Sequence, residues 1–414
     1  MTWPLVYIVL FLLPFFSTET SKPASAFLYG ALSILFLYLY FSTPAKKRLK
    51  DLFLLVPLLA FLVIVIITAF ASIYPPAALA KAAYFPLYAL FFVAIAGFDS
   101  AEKKKIALTL AASSFLIALI AISQRLFYFT DMISYISANK PLFTKTEFFY
   151  IMDIARRARS VGVFHTPNLL ASYLIMVNMA VLGLIFAAKK RIEIILLLGL
   201  LIVNLTALWL TRSFAGFAAF AFGIFVFTVL MLIKGKGSFK RAKFLLIALI
   251  ACICILFTAL FISRFFYADD AHKLSIALEG RLAFWKASLF AIADKPFAFA
   301  GLGNFEFIYR AYAPPISAET TMAHNLLLQL WIETGAYGLL AFAFFASMLI
   351  LRTLKNILNS QTPPMLLAIR IGILSGVIAF LIHNMACFSF FVPETAVVWW
   401  VMCGLLICTN REAK

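Results

Sequence analysis

The chain is 414 residues long, 64% hydrophobic and only 13% charged, with a formal net charge of +18. Its mean hydropathy of +1.03 excludes an ordinary soluble globular domain. Apolar runs of about 18 to 25 residues recur throughout, each long enough to cross a bilayer core as a helix, and weak period-2 alternation argues against a membrane β-barrel. The expected fold is an all-α polytopic membrane protein with about 12 transmembrane helices, taken as a single membrane domain over 1–414.

In chain order, the expected spans run Trp3–Phe16, Ala24–Phe41, Leu52–Ile73, Ala82–Ala96 and Ile106–Phe127. They continue with Leu169–Ala188, Ile192–Leu210, Phe214–Ile233 and Phe244–Ile262, and end with Leu326–Leu351, Met365–Ala386 and Ala396–Cys408. Lysine and arginine collect in alternate short loops: Lys46-Lys47-Arg48, Lys103-Lys104-Lys105, Lys189-Lys190-Arg191, the run Lys234 to Lys243, and Arg352 with Lys355. By the positive-inside rule these loops and both termini are expected on the cytoplasmic side. Most of the positive charge is thereby accounted for as a topology signal, and no nucleic-acid partner is implied. The cysteines all lie in or beside apolar spans with no Cys-x-x-Cys pair, which reads as packing rather than as a disulfide framework or a metal site.

The opposite face is expected to carry long loops at 128–168 and 263–324. Long translocated loops are largely exempt from the charge rule, so basic residues there need another explanation. The first holds Arg156, Arg157 and Arg159 and then Gly162 to Asn168; the second holds Arg281 on a helix predicted from about Lys273 to Ala293. Leu274, Leu278, Leu282, Trp285 and Leu289 form a single apolar stripe on that helix, which should lie on the membrane surface or pack over the mouth of the bundle. Arg212 sits in a very tight outer hairpin, Thr211-Arg212-Ser213, with no acid nearby in sequence. It reads either as a snorkelling interfacial anchor or as a phosphate ligand, since the guanidinium fork matches phosphate oxygens bidentately. For Arg281 the plain alternative is a solvated flank charge.

His324 stands at a loop-to-span junction beside Asn325. A structural role is the plain reading of any single histidine, but imidazole also suits a general base near neutral pH. The topology read from lysine and arginine places Arg212, Arg281 and His324 on one face. His165 and His383 fall on the same side as alternative bases. No His-x-x-x-His or Asp-x-Asp spacing is present, so neither a metal nor any other cofactor is expected.

Gly280-Arg281-Leu282-Ala283-Phe284-Trp285-Lys286-Ala287, Asp294-Lys295-Pro296 and Gly301-Leu302-Gly303-Asn304 together resemble the central signature of the O-antigen ligase and polymerase superfamily. His324-Asn325 with Glu333-Thr334-Gly335-Ala336-Tyr337-Gly338 resembles its histidine motif, and Thr211-Arg212-Ser213 and Gly162 to Ala171 are similar to its upstream stretches. The resemblance implies a C-type glycosyltransferase-like fold in the bacterial inner membrane, with the site facing the periplasm. It implies a metal-independent, inverting transfer of an O-antigen glycan from undecaprenyl diphosphate to a sugar hydroxyl of the lipid A-core. On that pattern Arg212 and Arg281 bind the diphosphate and His324 is the base. Arg156, Arg157, Arg159, Asn168, Trp285, Asn304 and Asn325 are the candidates for binding substrate, with membrane lipids as surroundings. The turn at Gly301 departs from the family pattern, because Phe297 and Phe299 precede it where a glycine-rich stretch is expected.

Two other functions compete. A polysaccharide polymerase uses related motifs to join lipid-linked repeat units. A secondary transporter shares the span number, but would show half-chain symmetry and charged groups near the membrane midplane.

Overall fold

The computed structural model describes residues 3–16, 22–42, 52–234, 268–314, 320–359 and 364–407. Among these every regular element is a helix. This follows from the apolar composition, because a chain in hydrocarbon must satisfy its backbone N–H and C=O groups internally. Among the described residues eight helices are long and apolar enough to cross a membrane: Phe53–Phe70, Pro75–Ala96, Ser100–Ala138, Pro167–Ala187, Arg191–Leu210, Phe214–Lys234, Leu326–Asn359 and Met365–His383. Shorter apolar helices, Pro4–Phe15, Tyr29–Tyr38 and Pro393–Leu406, occupy the expected first, second and last spans. The expected span Phe244–Ile262 lies outside the described residues.

The stretch expected to leave the membrane at 128 is helical, running through a π-helical turn at Gln124–Tyr128 into Phe129–Ala138. A further helix, Lys145–Arg156, follows within the expected first loop. It starts with a capping box: Thr144 accepts from the Glu147 N–H, and the Glu147 carboxylate accepts from the Thr144 N–H. Leucines of the apolar stripe on the second loop point away from the packed side of their helix. The helix Ala268–Asp294 buries Phe284, Ala287, Ser288 and Ala291, whereas Leu278, Leu282 and Leu289 are exposed.

The chain divides into two compact units. The first comprises Met1–Leu35, Phe98–Phe227 and Thr362–Phe380. Its centre is a three-way packing of the helices Ser100–Ser123, Pro167–Ala187 and Arg191–Leu210. Pro167–Ala187 is buried almost throughout, whereas Arg191–Leu210 turns most of its surface outward. A polar tie crosses this centre, where Asn204 Nδ2 donates to Ser114 Oγ at 2.8 Å.

The second unit comprises Phe36–Gly97, Thr228–Gln361 and Leu381–Lys414. Leu52–Phe70 packs along Leu326–Asn359, and Tyr84–Ala96 along Pro393–Leu406. Between these pairs lies an aromatic cluster of Phe92, Phe342, Phe345, Phe390, Trp399 and Trp400. The helices Ala268–Asp294 and Phe305–Tyr312 pack on one another and on Leu326–Asn359.

Candidate active site

In the second unit the sequence candidates converge around the junction that leads into Leu326–Asn359. Asn325 caps this helix: its Oδ1 accepts from the N–H groups of Leu327 at 3.0 Å and Leu328 at 3.2 Å, while its Nδ2 donates to Met385 O at 3.2 Å. The Leu326 N–H donates to Asn384 O at 2.8 Å, so the turn 383–390 is fastened to the same junction. His324 therefore sits at a corner whose exit is fixed from two directions.

The imidazole of His324 is enclosed by aromatic rings, with Phe284 at 6.0 Å and Phe388 edge-on at 5.0 Å between centroids. Burial in this apolar slot, and then the positive charge of Arg281, pull its pKa down to about 4. Both causes disfavour imidazolium, so the ring is neutral at neutral pH. Its Nδ1 is buried without a hydrogen-bond partner. Burial also lowers the pKa of Arg281, with Cys387 pulling slightly the other way. Trp285, one helical turn beyond Arg281, donates from Nε1 to Ala323 O at 3.1 Å and so ties the arginine's helix to the residue before His324.

Backbone conformation singles out the same positions. Among the described residues, only Ala158, Arg212 and His324 are non-glycine residues with positive φ, at 47°, 49° and 50°. The left-handed region costs an L-residue about 1–2 kcal/mol, and such strain clusters at functional sites. Two of the three positions are residues singled out from sequence, and the third adjoins Arg159.

In the first unit, Arg212 forms the corner between Arg191–Leu210 and Phe214–Lys234, with its N–H on Trp209 O at 3.0 Å. Ser213 Oγ accepts from the Gly216 N–H at 3.2 Å and starts the second of these helices. Arg159 is brought to this corner: its Nε donates to Thr211 O at 3.0 Å and its Nη2 lies 3.5 Å from Asn168 Oδ1. The neighbouring Ser160 N–H donates to Leu210 O at 2.9 Å. Arg157 is in an ion pair with Asp153 at 2.9 Å, and Arg156 is exposed. Arg159, Asn168 and Arg212 thus form one local group. Arg281, Trp285, His324 and Asn325 form another.

Asn304 is fully buried, and its Nδ2 donates to Ala300 O at 2.9 Å. That amide shapes the turn Gly301-Leu302-Gly303 from inside. Sequence reasoning gave no role to Glu333, Gln329, Lys81 or Gly335. Glu333 is 1% exposed within the Leu326–Asn359 span, and its Oε1 accepts from Gly303 N at 2.7 Å, Gln329 Nε2 at 2.8 Å and Phe305 N at 3.3 Å. Lys81 passes beside Gly303, its Nζ 3.2 Å from where a Cβ would stand. The signal available in sequence was the carboxylate itself, since an acidic residue inside an apolar span is costly and needs partners.

The helix containing Glu333 is also broken. Gly335 has φ 71° and ψ 175°, a conformation essentially restricted to glycine. Just upstream, the carbonyls of Ile332 and Glu333 accept from the N–H groups of Ala300 and Gly301, both at 2.9 Å. Irregular backbone at membrane depth is tolerated where protein covers it, and here the glycine turn supplies that cover.

These features define the class: a polytopic helical membrane protein that presents a neutral histidine beside a half-buried arginine, at the mouth of a broken spanning helix. Residues 199–343 match the family model described as O-Antigen ligase, to which this segment of the chain is therefore similar. The matched segment contains Arg212, Arg281, His324 and Glu333. No curated protein matches the chain. Among the described residues no three His, Cys, Asp or Glu side chains gather into a metal-binding group.

Proposed function

We propose that this chain transfers an O-antigen glycan from undecaprenyl diphosphate to a sugar hydroxyl of the lipid A-core, at the periplasmic face of the bacterial inner membrane. The reaction inverts the anomeric centre and uses no metal. The family match supports chemistry of the O-antigen ligase and polymerase kind. The observation that carries the finer reading is the neutral, aromatic-enclosed imidazole of His324 next to the cation of Arg281. Such a pair suits a reaction in which a hydroxyl loses its proton while a diphosphate departs.

In this mechanism the acceptor oxygen attacks the anomeric carbon from the face opposite the diphosphate. The carbon–oxygen bond to the diphosphate breaks, the hydroxyl proton passes to His324, and undecaprenyl diphosphate leaves with the bonding pair. Arg281 and Arg212 bind the diphosphate oxygens and offset the charge that develops there, which removes the need for an acid at the leaving group. Arg156, Arg157, Arg159, Asn168, Trp285, Asn304 and Asn325 contribute to substrate binding, directly or by shaping the site.

The lipopolysaccharide profile of a strain lacking the protein tests the assignment. Loss of the ladder with accumulation of full-length lipid-linked polymer supports the ligase. Accumulation of single lipid-linked repeat units would assign a polymerase instead.

Lysine keeps the charge of arginine but loses the planar fork. Arg281→Lys and Arg212→Lys are each expected to weaken donor binding about ten- to hundredfold, the equivalent of one charge-assisted hydrogen bond. Unchanged donor affinity in both variants would show that charge alone suffices.

The pH dependence follows from the lowered pKa of His324. A base whose pKa is depressed stays active as pH falls through 6.5 and is lost only as it approaches about 4. The acid limb of kcat/KM, which reports the free enzyme, should therefore lie below the usual imidazole value. Bound diphosphate offsets the Arg281 charge, so the acid limb of kcat should lie at higher pH than that of kcat/KM. Coincident limbs at or above 6.5 would contradict this electrostatic coupling.

A further inference from the structure

We propose that Glu333 is a positioning residue, holding from within the spanning helix both the glycine turn and the segment that presents His324. The proposal rests on the functional reading above, and it concerns how the base is held rather than what it does.

The path is continuous. Glu333 Oε1 collects the N–H groups of Gly303 and Phe305 on one side and Gln329 Nε2 on the other. Gln329, one helical turn before Glu333, accepts from the Ala323 N–H at 2.5 Å through its Oε1. The carbonyl of Ala323 is taken by Trp285 Nε1 at 3.1 Å. The peptide groups on both sides of Ala323 are therefore anchored, one through Gln329 to Glu333 and the other to the helix of Arg281. His324 follows immediately with φ 50°. A residue held in a sparsely populated conformation stays there only when its surroundings over-determine it, and this chain of bonds does so.

The polar groups involved are buried: Glu333 and Gln329 are each 1% exposed, and Ala323 is fully enclosed. In a low-dielectric setting a satisfied network is rigid, whereas an N–H left without its acceptor drives the local backbone to rearrange. Removing Glu333 orphans Gly303, Phe305 and Gln329 together. Removing Gln329 frees Ala323 while the glycine turn keeps its bonds to Glu333. The same carboxylate thus sets the turn beside Lys81 and, through a single amide, the orientation of the base.

The test uses the purified full-length protein in nanodiscs, with variants Glu333→Leu, Glu333→Gln, Gln329→Leu and the double Glu333→Leu/Gln329→Leu. Two readouts are taken. One is the rate at which diethyl pyrocarbonate modifies His324, followed by peptide mass across pH, which does not depend on catalysis. The other is single-turnover transfer from an undecaprenyl diphosphate-linked glycan to lipid A-core. Both leucine variants are expected to alter the His324 modification rate severalfold and to shift its pH midpoint. Transfer should fall at least tenfold at unchanged KM for donor. Glu333→Gln keeps an acceptor oxygen for the same three donors and should recover most of both losses. The double variant should be no worse than Glu333→Leu alone.

Should Glu333→Leu fail to fold, Gln329→Leu decides the matter alone. A folded Gln329→Leu protein with the parent's modification rate, pH midpoint and turnover would overturn the proposal. Additive losses in the double variant would do the same. If modification responds as described while even the parent transfers no glycan, the positioning role stands and the functional reading fails.

Discussion

Replacing His324 by alanine is expected to abolish glycan transfer while leaving donor affinity close to that of the parent. Removing a general base costs about 10² to 10⁴ in rate, and in the proposed mechanism the diphosphate is held by arginines that the substitution does not touch. A simple truncation would leave open whether the chemistry or the corner of the chain had been lost, because His324 adopts φ 50°. Asparagine resolves this. It enters the left-handed region more readily than most residues, so His324→Asn preserves the corner without supplying a base. Both variants should bind the lipid-linked donor and turn over at the same very low rate. Turnover near the parent's in His324→Asn would make the residue a structural corner, with His165 and His383 the next bases to test.

The second large effect is one of folding. An alanine methyl at Gly301 would stand 2.1 Å from Ser72 Cβ and 3.1 Å from Thr68 O, in a residue with φ 87°. The positive φ costs about 1–2 kcal/mol and the overlap typically another 1–3, against a total stability of roughly 5–15 for a folded domain. Gly301→Ala is therefore expected to reduce the folded yield in detergent severely and to lower Tm. Adding Ser72→Gly removes the clashing carbon but leaves the conformational cost, so the double variant should recover part of the loss. Gly199→Ala serves as the control. No atom lies within 4 Å of the added methyl, and the helix Arg191–Leu210 should tolerate or welcome it. Equal stability in Gly301→Ala and the parent would mean that the close approach to Ser72 is not maintained in the membrane.

The eight helices long and apolar enough to cross a membrane were legible because that property depends on length and apolarity alone. The continuous helix through Gln124–Tyr128 was not, because tyrosine and phenylalanine after Arg125 are compatible with both an interfacial exit and a longer helix. The orientation of Ala268–Asp294 shows a different limit. Its leucine stripe was plain in the sequence, but apolarity does not say whether such a stripe meets protein or lipid. Leu278, Leu282 and Leu289 are exposed, while the weaker pattern of Phe284, Ala287 and Ala291 is the one that packs. Arg281 and His324, which lie close enough for the arginine's charge to act on the imidazole, were singled out in the sequence by type and order. The roles of Gln329 and Glu333 were not, since hydrogen bonds to the N–H groups of Gly303 and Ala323 depend on backbone path rather than on side-chain identity. The break at Gly335 was hidden for a related reason: the motif from Glu333 to Gly338 singles out the glycine but does not give its backbone conformation.

That break bears on how loops could be exchanged between related chains. Ala300 and Gly301 donate their N–H groups to Ile332 and Glu333, so the turn and the upper part of the spanning helix complete one another's backbone. Neither is an independent module. A chimera joined between Gly301 and Ile332 would match a donor's turn with a host's helix and put these backbone bonds at risk. Grafts that carry the block from Pro296 through Tyr337 intact keep these bonds together, and acceptor preference should be transplanted with the block rather than with the loop alone.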